Sequence, residues 1–161
     1  MIFVTTSKGL FFKRMIKAID TLSEKYSLYM IVQGGYEYHP ESEKIKYYTT
    51  LPRDEFERYF DQADLVISHA GIGNIIMGKQ KCKPLIIVPR LKKFGEHHND
   101  HQLEIAKKLE DQRGFKVIYN VDELDSMEVL SFSEKPAKEN VEGKKAIIQE
   151  VRAFCSNVLQ Q

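Results

Sequence analysis

Residues 64–74 read DLVISHAGIGN. An apolar run, Leu65 to Ile67, passes into Ser68 and His69, and two glycines, Gly71 and Gly73, follow with one residue between them. A helical pattern, IGNIIMGKQK (72–81), begins at once. A short buried strand that enters a glycine turn and leaves it as a helix is half of a βαβ unit. Glycine lets a ligand approach the backbone closely. The free N–H groups of the first helical turn then point at that space and favour an anion, most often a phosphate. Gly71, Ile72, Gly73 and Asn74 are therefore candidate anion-binding positions, although a tight strand-to-helix turn needs the same glycines.

Outward from this turn, strand-like and helix-like segments alternate. Apolar runs at 2–6, 27–35, 44–51 (the weakest), 84–89 and 115–120 read as further strands. Residues 11–26 place Phe12, Met15, Ile16, Ile19 and Leu22 at helical spacing, and 53–63 follow Pro52 as a short helix. The stretch 101–112, HQLEIAKKLEDQ, reads as a helix too. Short apolar strands alternating with helices predict an α/β fold, a Rossmann-like parallel sheet with helices on both faces. Polar residues 133–145 read as an exposed linker. A helix over 146–161 carries Ile147, Ile148, Val151, Phe154, Val158 and Leu159 on one side. A length of 161 residues fits one domain over 1–161.

Composition narrows the class. A net charge of +1 with 29% charged residues lacks the basic excess that a phosphate backbone demands, so nucleic acid is not an expected partner. Two cysteines, Cys82 and Cys155, lie far apart in no CxxC pair, which points to a reducing compartment. The N-terminus lacks the pattern of a signal peptide, and no apolar run approaches the roughly 18 residues of a membrane span. A cytoplasmic protein is expected, with any membrane contact peripheral.

The dinucleotide fingerprint GxGxxG fails at its third glycine, which is Ile76. The acidic residue expected about 20 positions later is also missing, because that region reads VPRLKK. No GxxxxGK[ST] occurs. The turn therefore suits a diphosphate of another kind. Neighbouring parallel strands place their loops on one sheet edge, so residues 89–102 are expected beside Gly71 and Gly73. That loop offers Glu96, His97, His98, Asn99, Asp100, His101 and Gln102 to a polyol, and Arg90, Lys92 and Lys93 to a phosphate or an anionic headgroup. Asn99 and Gln102 have capping-box spacing, which starts the helix at about 100. His97 and His101 then lose the one-turn separation of two helical ligands, and no metal set is assigned. His69, at its strand end, either faces the phosphates or bonds a loop carbonyl.

DLVISHAGIG, KPLIIVPR and GEHHNDHQLEIAKKL in succession resemble the C-terminal, donor-binding domain of family 28 glycosyltransferases. The similarity is to stand-alone catalytic subunits of two-component enzymes, of the capsule and exopolysaccharide β-1,4-galactosyltransferase or N-acetylglucosaminyltransferase type. It spans roughly residues 1–120, and its motifs lie between Asp64 and Leu109. The resemblance implies one half of a GT-B glycosyltransferase whose other half, the acceptor-side domain, is a membrane-anchored partner subunit. It implies a UDP-sugar (galactose, glucose or N-acetylglucosamine) as substrate, with no cofactor, and a polyprenyl-diphosphate-linked acceptor in polysaccharide or oligosaccharide assembly.

The resemblance also implies roles for particular residues. Gly71 and Gly73 lie under the diphosphate and His69 near it. Glu96, Asn99, His101 and Gln102 reach the donor sugar, while Gln33, Gly34 and Gly35 line the cleft. The chain departs from its relatives at Met77, where many carry a glutamate for the ribose, at Cys82, and in the N-terminal TTSKG. No D-x-D motif occurs, so amides after Gly71, aided by Arg90 or a histidine, are expected to stabilise the leaving diphosphate without metal. The base is expected from the partner or from His69. Two competing readings are a non-catalytic nucleotide-sugar-binding or regulatory module, and a metal-binding protein built on His97, His98 and His101.

Overall fold

A computed structural model describes residues 1–6, 12–35 and 38–136. The expected helix over 146–161, and the expected linker beyond residue 136, lie outside the described residues. Among those described, six parallel strands form one sheet. They are β1 (Ile2–Thr5), β2 (Met30–Gln33), β3 (Ile45–Tyr48), β4 (Leu65–His69), β5 (Leu85–Val88) and β6 (Phe115–Val117). Their order is β3-β2-β1-β4-β5-β6. β1 pairs with β2 on one side, with Thr5 opposite Gln33, and with β4 on the other, with Thr5 opposite Ser68. The chain adds its successive strands outward to opposite sides of this β1/β4 junction. In such a sheet the crevice outside the carboxyl ends of the strands at this point is where ligands bind.

The strands are apolar nearly throughout because helices cover both faces. α1 (Lys13–Tyr26) buries Met15, Ile16, Ile19 and Leu22 on one face, against Val4, Val32, Ile67 and Ile86. α2 (Arg53–Gln62), α3 (Ile72–Lys81) and α4 (His101–Lys107) lie on the other, where Phe3, Tyr59, Phe60, Val66, Ile75, Leu85 and Ile87 share a core. α2 is anchored by aromatic edges: the Phe3 ring of β1 meets Phe56 at 5.3 Å and Phe60 at 6.3 Å. The hydroxyls of Tyr48 and Tyr59 add a bond of 2.8 Å.

Several elements are shorter than their sequence pattern predicts. β2 covers only Met30–Gln33 of the expected 27–35. β3 stops at Tyr48, before Leu51 and Pro52, and β6 stops at Val117, although Ile118 still donates its N–H to the Ile87 carbonyl. α4 ends at Lys107, where residues 101–112 read as helix. Beyond it the amides of Leu109 and Gln112 bond three residues back, and Gly114 turns at φ +87° into β6. After Ala106 the segment KKLEDQRG has only Leu109 to bury, so packing no longer holds a regular helix. No helix among the described residues is long and apolar enough to cross a membrane.

Candidate functional site

The two glycines after β4 serve different ends. A methyl group built on Gly71 would overlap His69 Nε2 and stand 2.9 Å from its Cε1. Gly71 is bare so that the imidazole can fold back over the turn. A methyl on Gly73 would meet nothing within 4 Å. Gly73 faces open space.

Gly71 is the N-cap of α3 and lends it no side-chain acceptor. Of the amides in this turn, Gly71 donates to the His69 carbonyl at 2.7 Å, and Asn74 and Ile75 donate to the Gly71 carbonyl at 3.1 and 3.2 Å. The amides of Ile72 and Gly73 remain for a ligand at the positive end of the helix. The Asn74 amide group donates to Ser68 Oγ at 2.7 Å, and that hydroxyl in turn donates to the His69 carbonyl at 2.9 Å. Asn74 thus fixes the turn to β4.

His69 is 7% exposed, and its Nδ1 is buried without a hydrogen-bond partner. Burial, then the nearby Arg90 guanidinium and His97, push its pKa down to about 4; the Thr5 backbone opposes this and is outweighed. The ring is therefore neutral at pH 7. Arg90 itself is buried and donates to the Thr6 carbonyl, and burial lowers its pKa to about 10, which leaves it charged. A positive charge thus lies near the His69 ring.

The polar side chains of the loop after β5 are engaged largely within the chain. Glu96, 4% exposed, accepts from Arg14 Nε at 2.9 Å and Arg14 Nη2 at 3.0 Å, and its Oε2 also accepts from the Leu91 amide at 3.0 Å. Arg14 further donates to the carbonyls of Pro89 and Tyr119, tying α1 to the loop. Gln102 Oε1 accepts from the Arg90 amide at 3.0 Å, and Asp100 Oδ1 from the Lys92 amide at 2.9 Å. Asn99 Oδ1 accepts from the His101 amide at 3.3 Å.

The reciprocal capping box does not form, because the Gln102 side chain is held by Arg90 and Asp100 is the N-cap of α4. His97 and His98 stack on each other at 4.3 Å, and His101 Nδ1 stands 3.5 Å from Glu104 along its own helix. Among the described residues no three His, Cys, Asp or Glu side chains gather as a metal site.

A cleft of about 480 Å³ opens at the β1/β4 junction. His69, Gly71, Gly73 and Asn74 line it, as does Gln33, whose Oε1 accepts from Thr5 Oγ1 at 2.8 Å. Ile72, Arg90, Glu96, Asn99, His101 and Gln102 do not line it. Nor do Gly34 and Gly35, which lie against Tyr47: its hydroxyl donates to the Gly35 carbonyl at 2.7 Å.

Sequence reasoning missed the rest of the lining, made by Thr5, Leu51, Arg53, Phe56 and Glu57, which join Met77 of α3, the position where many relatives carry a glutamate. The available signal was topological. The segment TTLPRDEFER follows a strand and so stands on the same carboxyl edge as the glycine turn. The wall is apolar at Leu51, Phe56 and Met77, and carries one ion pair, Arg53 Nε to Glu57 Oε1 at 2.8 Å.

Known proteins fit this picture. The UDP-N-acetylglucosamine transferase subunit ALG13 of Mus musculus is 44% identical over 57 residues, which are 35% of this chain and 4% of that protein. The Candida albicans protein of the same name is 37% identical over 68 residues, 42% of this chain and 22% of its own length. The chain thus spans only a small part of these curated relatives. A solution structure of ALG13 superposes with a TM-score of 0.60 at 17% identity, covering 91% of this chain and 94% of that one. A crystal structure of the glycotransferase of kitacinnamycin superposes with a TM-score of 0.55 at 16% identity, over 98% of this chain and 42% of the other. The architecture is the Rossmann-like half of a GT-B glycosyltransferase. The Glycosyltransferase family 28 C-terminal domain matches residues 1–151, and the chain belongs to that family.

Proposed function

We propose that this chain binds a UDP-sugar in the β1/β4 cleft and, with a membrane-anchored partner subunit, transfers the sugar to a polyprenyl-diphosphate-linked acceptor. The donor is UDP-galactose, UDP-glucose or UDP-N-acetylglucosamine, and the relatives' name favours the last. One observation carries the reading: Gly73 lines the cleft with open space where a side chain would stand, and the first-turn amides of Ile72 and Gly73 have no backbone partner, in the crevice where such sheets bind ligands.

In the transfer the acceptor hydroxyl oxygen attacks the anomeric carbon, with inversion. The bond from that carbon to the β-phosphate oxygen breaks, and UDP leaves with the electron pair. Charge growing on the β-phosphate meets the two amides and the field of Arg90, so no metal ion is required. The hydroxyl proton goes to a base. The base comes from the partner subunit or is His69, whose burial keeps the ring neutral and so able to accept a proton, and which an anionic diphosphate beside it would make more basic. The chain alone is then a nucleotide-sugar-binding module and becomes an enzyme on assembly.

Titration with UDP and the three UDP-sugars, with and without a chelator, tests this. Saturable binding that a chelator leaves unchanged is expected, with sugar transfer only after the partner subunit is added. Binding that vanishes with chelator would favour the metal-dependent alternative. Transfer failing in the assembled complex, with UDP binding intact, would leave a regulatory module.

A further inference from the structure

The cleft wall facing the glycine turn has chemistry that the reading above does not use. Leu51, Phe56 and Met77 form an apolar surface, and among the described residues lining the cleft Glu57 is the single carboxylate. Glu57 sits on α2, one residue from Phe56, whose ring is packed against Phe3 and Phe60. Its backbone is therefore held by core packing, and Arg53, one turn earlier, orients the side chain through Oε1. The pair is solvent-facing, with 37% of the Glu57 side chain exposed, so a ligand can engage it without disturbing the core.

Resting on the diphosphate site proposed above, the molecule's two walls divide a nucleotide between them. The phosphates take the Ile72 and Gly73 amides. A flat, weakly polar base suits the apolar patch of Leu51, Phe56 and Met77. A ribose lies between base and phosphate and offers two adjacent hydroxyl donors, which an ionised carboxylate accepts well. Phe56 has no acceptor and the Met77 thioether is only a weak one. We propose that Glu57 accepts hydrogen bonds from the ribose 2′- and 3′-hydroxyls and so makes the cleft selective for ribonucleotides. The hexose hydroxyls are the other diol in the ligand, but they stand beyond the diphosphate, away from the base.

The test measures dissociation constants of UDP, 2′,3′-dideoxy-UDP and inorganic pyrophosphate for the unaltered 161-residue chain and for E57A and E57Q. The unaltered chain is expected to prefer UDP over the dideoxy analogue by about tenfold, the size of one charge-assisted bond at a solvent-facing rim. E57A is expected to lose that preference and E57Q most of it. Both should bind pyrophosphate as the unaltered chain does, and both should keep its melting temperature. If E57A retains the preference, or the unaltered chain shows none while binding UDP, Glu57 does not read the ribose. If neither UDP nor pyrophosphate binds the unaltered chain, the diphosphate reading fails, and the Glu57 assignment fails with it.

Discussion

Two loops leave the carboxyl edge of the sheet from neighbouring strands, and they use their polar groups in opposite ways. The turn after β4, residues 70–74, leaves two backbone amides unpartnered under an open glycine. The loop after β5, residues 89–102, is the richer in polar side chains, yet Glu96, Asn99, Asp100 and Gln102 all bond groups of their own chain. Polar side chains near a site therefore do not by themselves mark ligand contacts, because a loop lying against the core must first satisfy its own buried amides. The open site is built from backbone and from missing side chains instead.

The largest expected effect lies in the closed loop. Glu96 is buried and its partner Arg14 partly buried, so removing Glu96 leaves the Arg14 charge and the Leu91 amide without their acceptor. E96A should lower unfolding free energy by about 2–4 kcal/mol in denaturant titration, below the full range for a buried pair because water still reaches Arg14. Pyrophosphate affinity of the folded fraction should change little, because Glu96 does not line the cleft. A loss below about 1 kcal/mol, as for an exposed pair, would mean that the loop is not closed on itself.

His69 ties the two loops electrostatically, through Arg90 and His97, and this gives a pH dependence. Its folded pKa is about 4, below the 6.5 of an unburied histidine. Between those values the unfolded chain binds the proton and the folded chain does not. Protonation therefore favours unfolding, and stability is lost as pH falls from 6.5 toward 4. A shift of that size corresponds to about 3 kcal/mol. His97, also lowered by burial and by His98, adds in the same direction. H69Q should flatten the slope of unfolding free energy against pH in that window. An equal slope in H69Q and the unaltered chain would show that the ring is not held neutral.

Much of the fold was legible because apolar runs of four or five residues alternate with helical spacing, and that pattern fits little except a parallel sheet. The glycine turn was legible for the same local reason. Less legible were features set by long-range partners. Arg14 gave no signal, being a helix cation 82 residues from the carboxylate it holds. Glu57 and Phe56 looked like an ordinary amphipathic helix until strand order placed α2 opposite Gly73. The pattern in residues 101–112 overstated α4 because periodicity counts Leu109 without asking whether a second face is buried.

The smallest effects separate the glycines themselves. In sequence Gly71 and Gly73 are equivalent, yet one is filled by the chain's own imidazole and the other by nothing. G71A forces the His69 ring out of its seat, an overpacking that costs about 1–3 kcal/mol. G73A adds a methyl to a helical residue with free space around it, at negative φ, so it should be neutral or stabilise by up to about 1 kcal/mol. That methyl projects where a phosphate would lie, so G73A should weaken pyrophosphate and UDP binding while leaving or raising the melting temperature. Stability and binding then move in opposite senses at one position, which a site used only to make a tight turn would not produce. A G73A chain that binds UDP as the unaltered one does would leave the second glycine with no ligand to explain it.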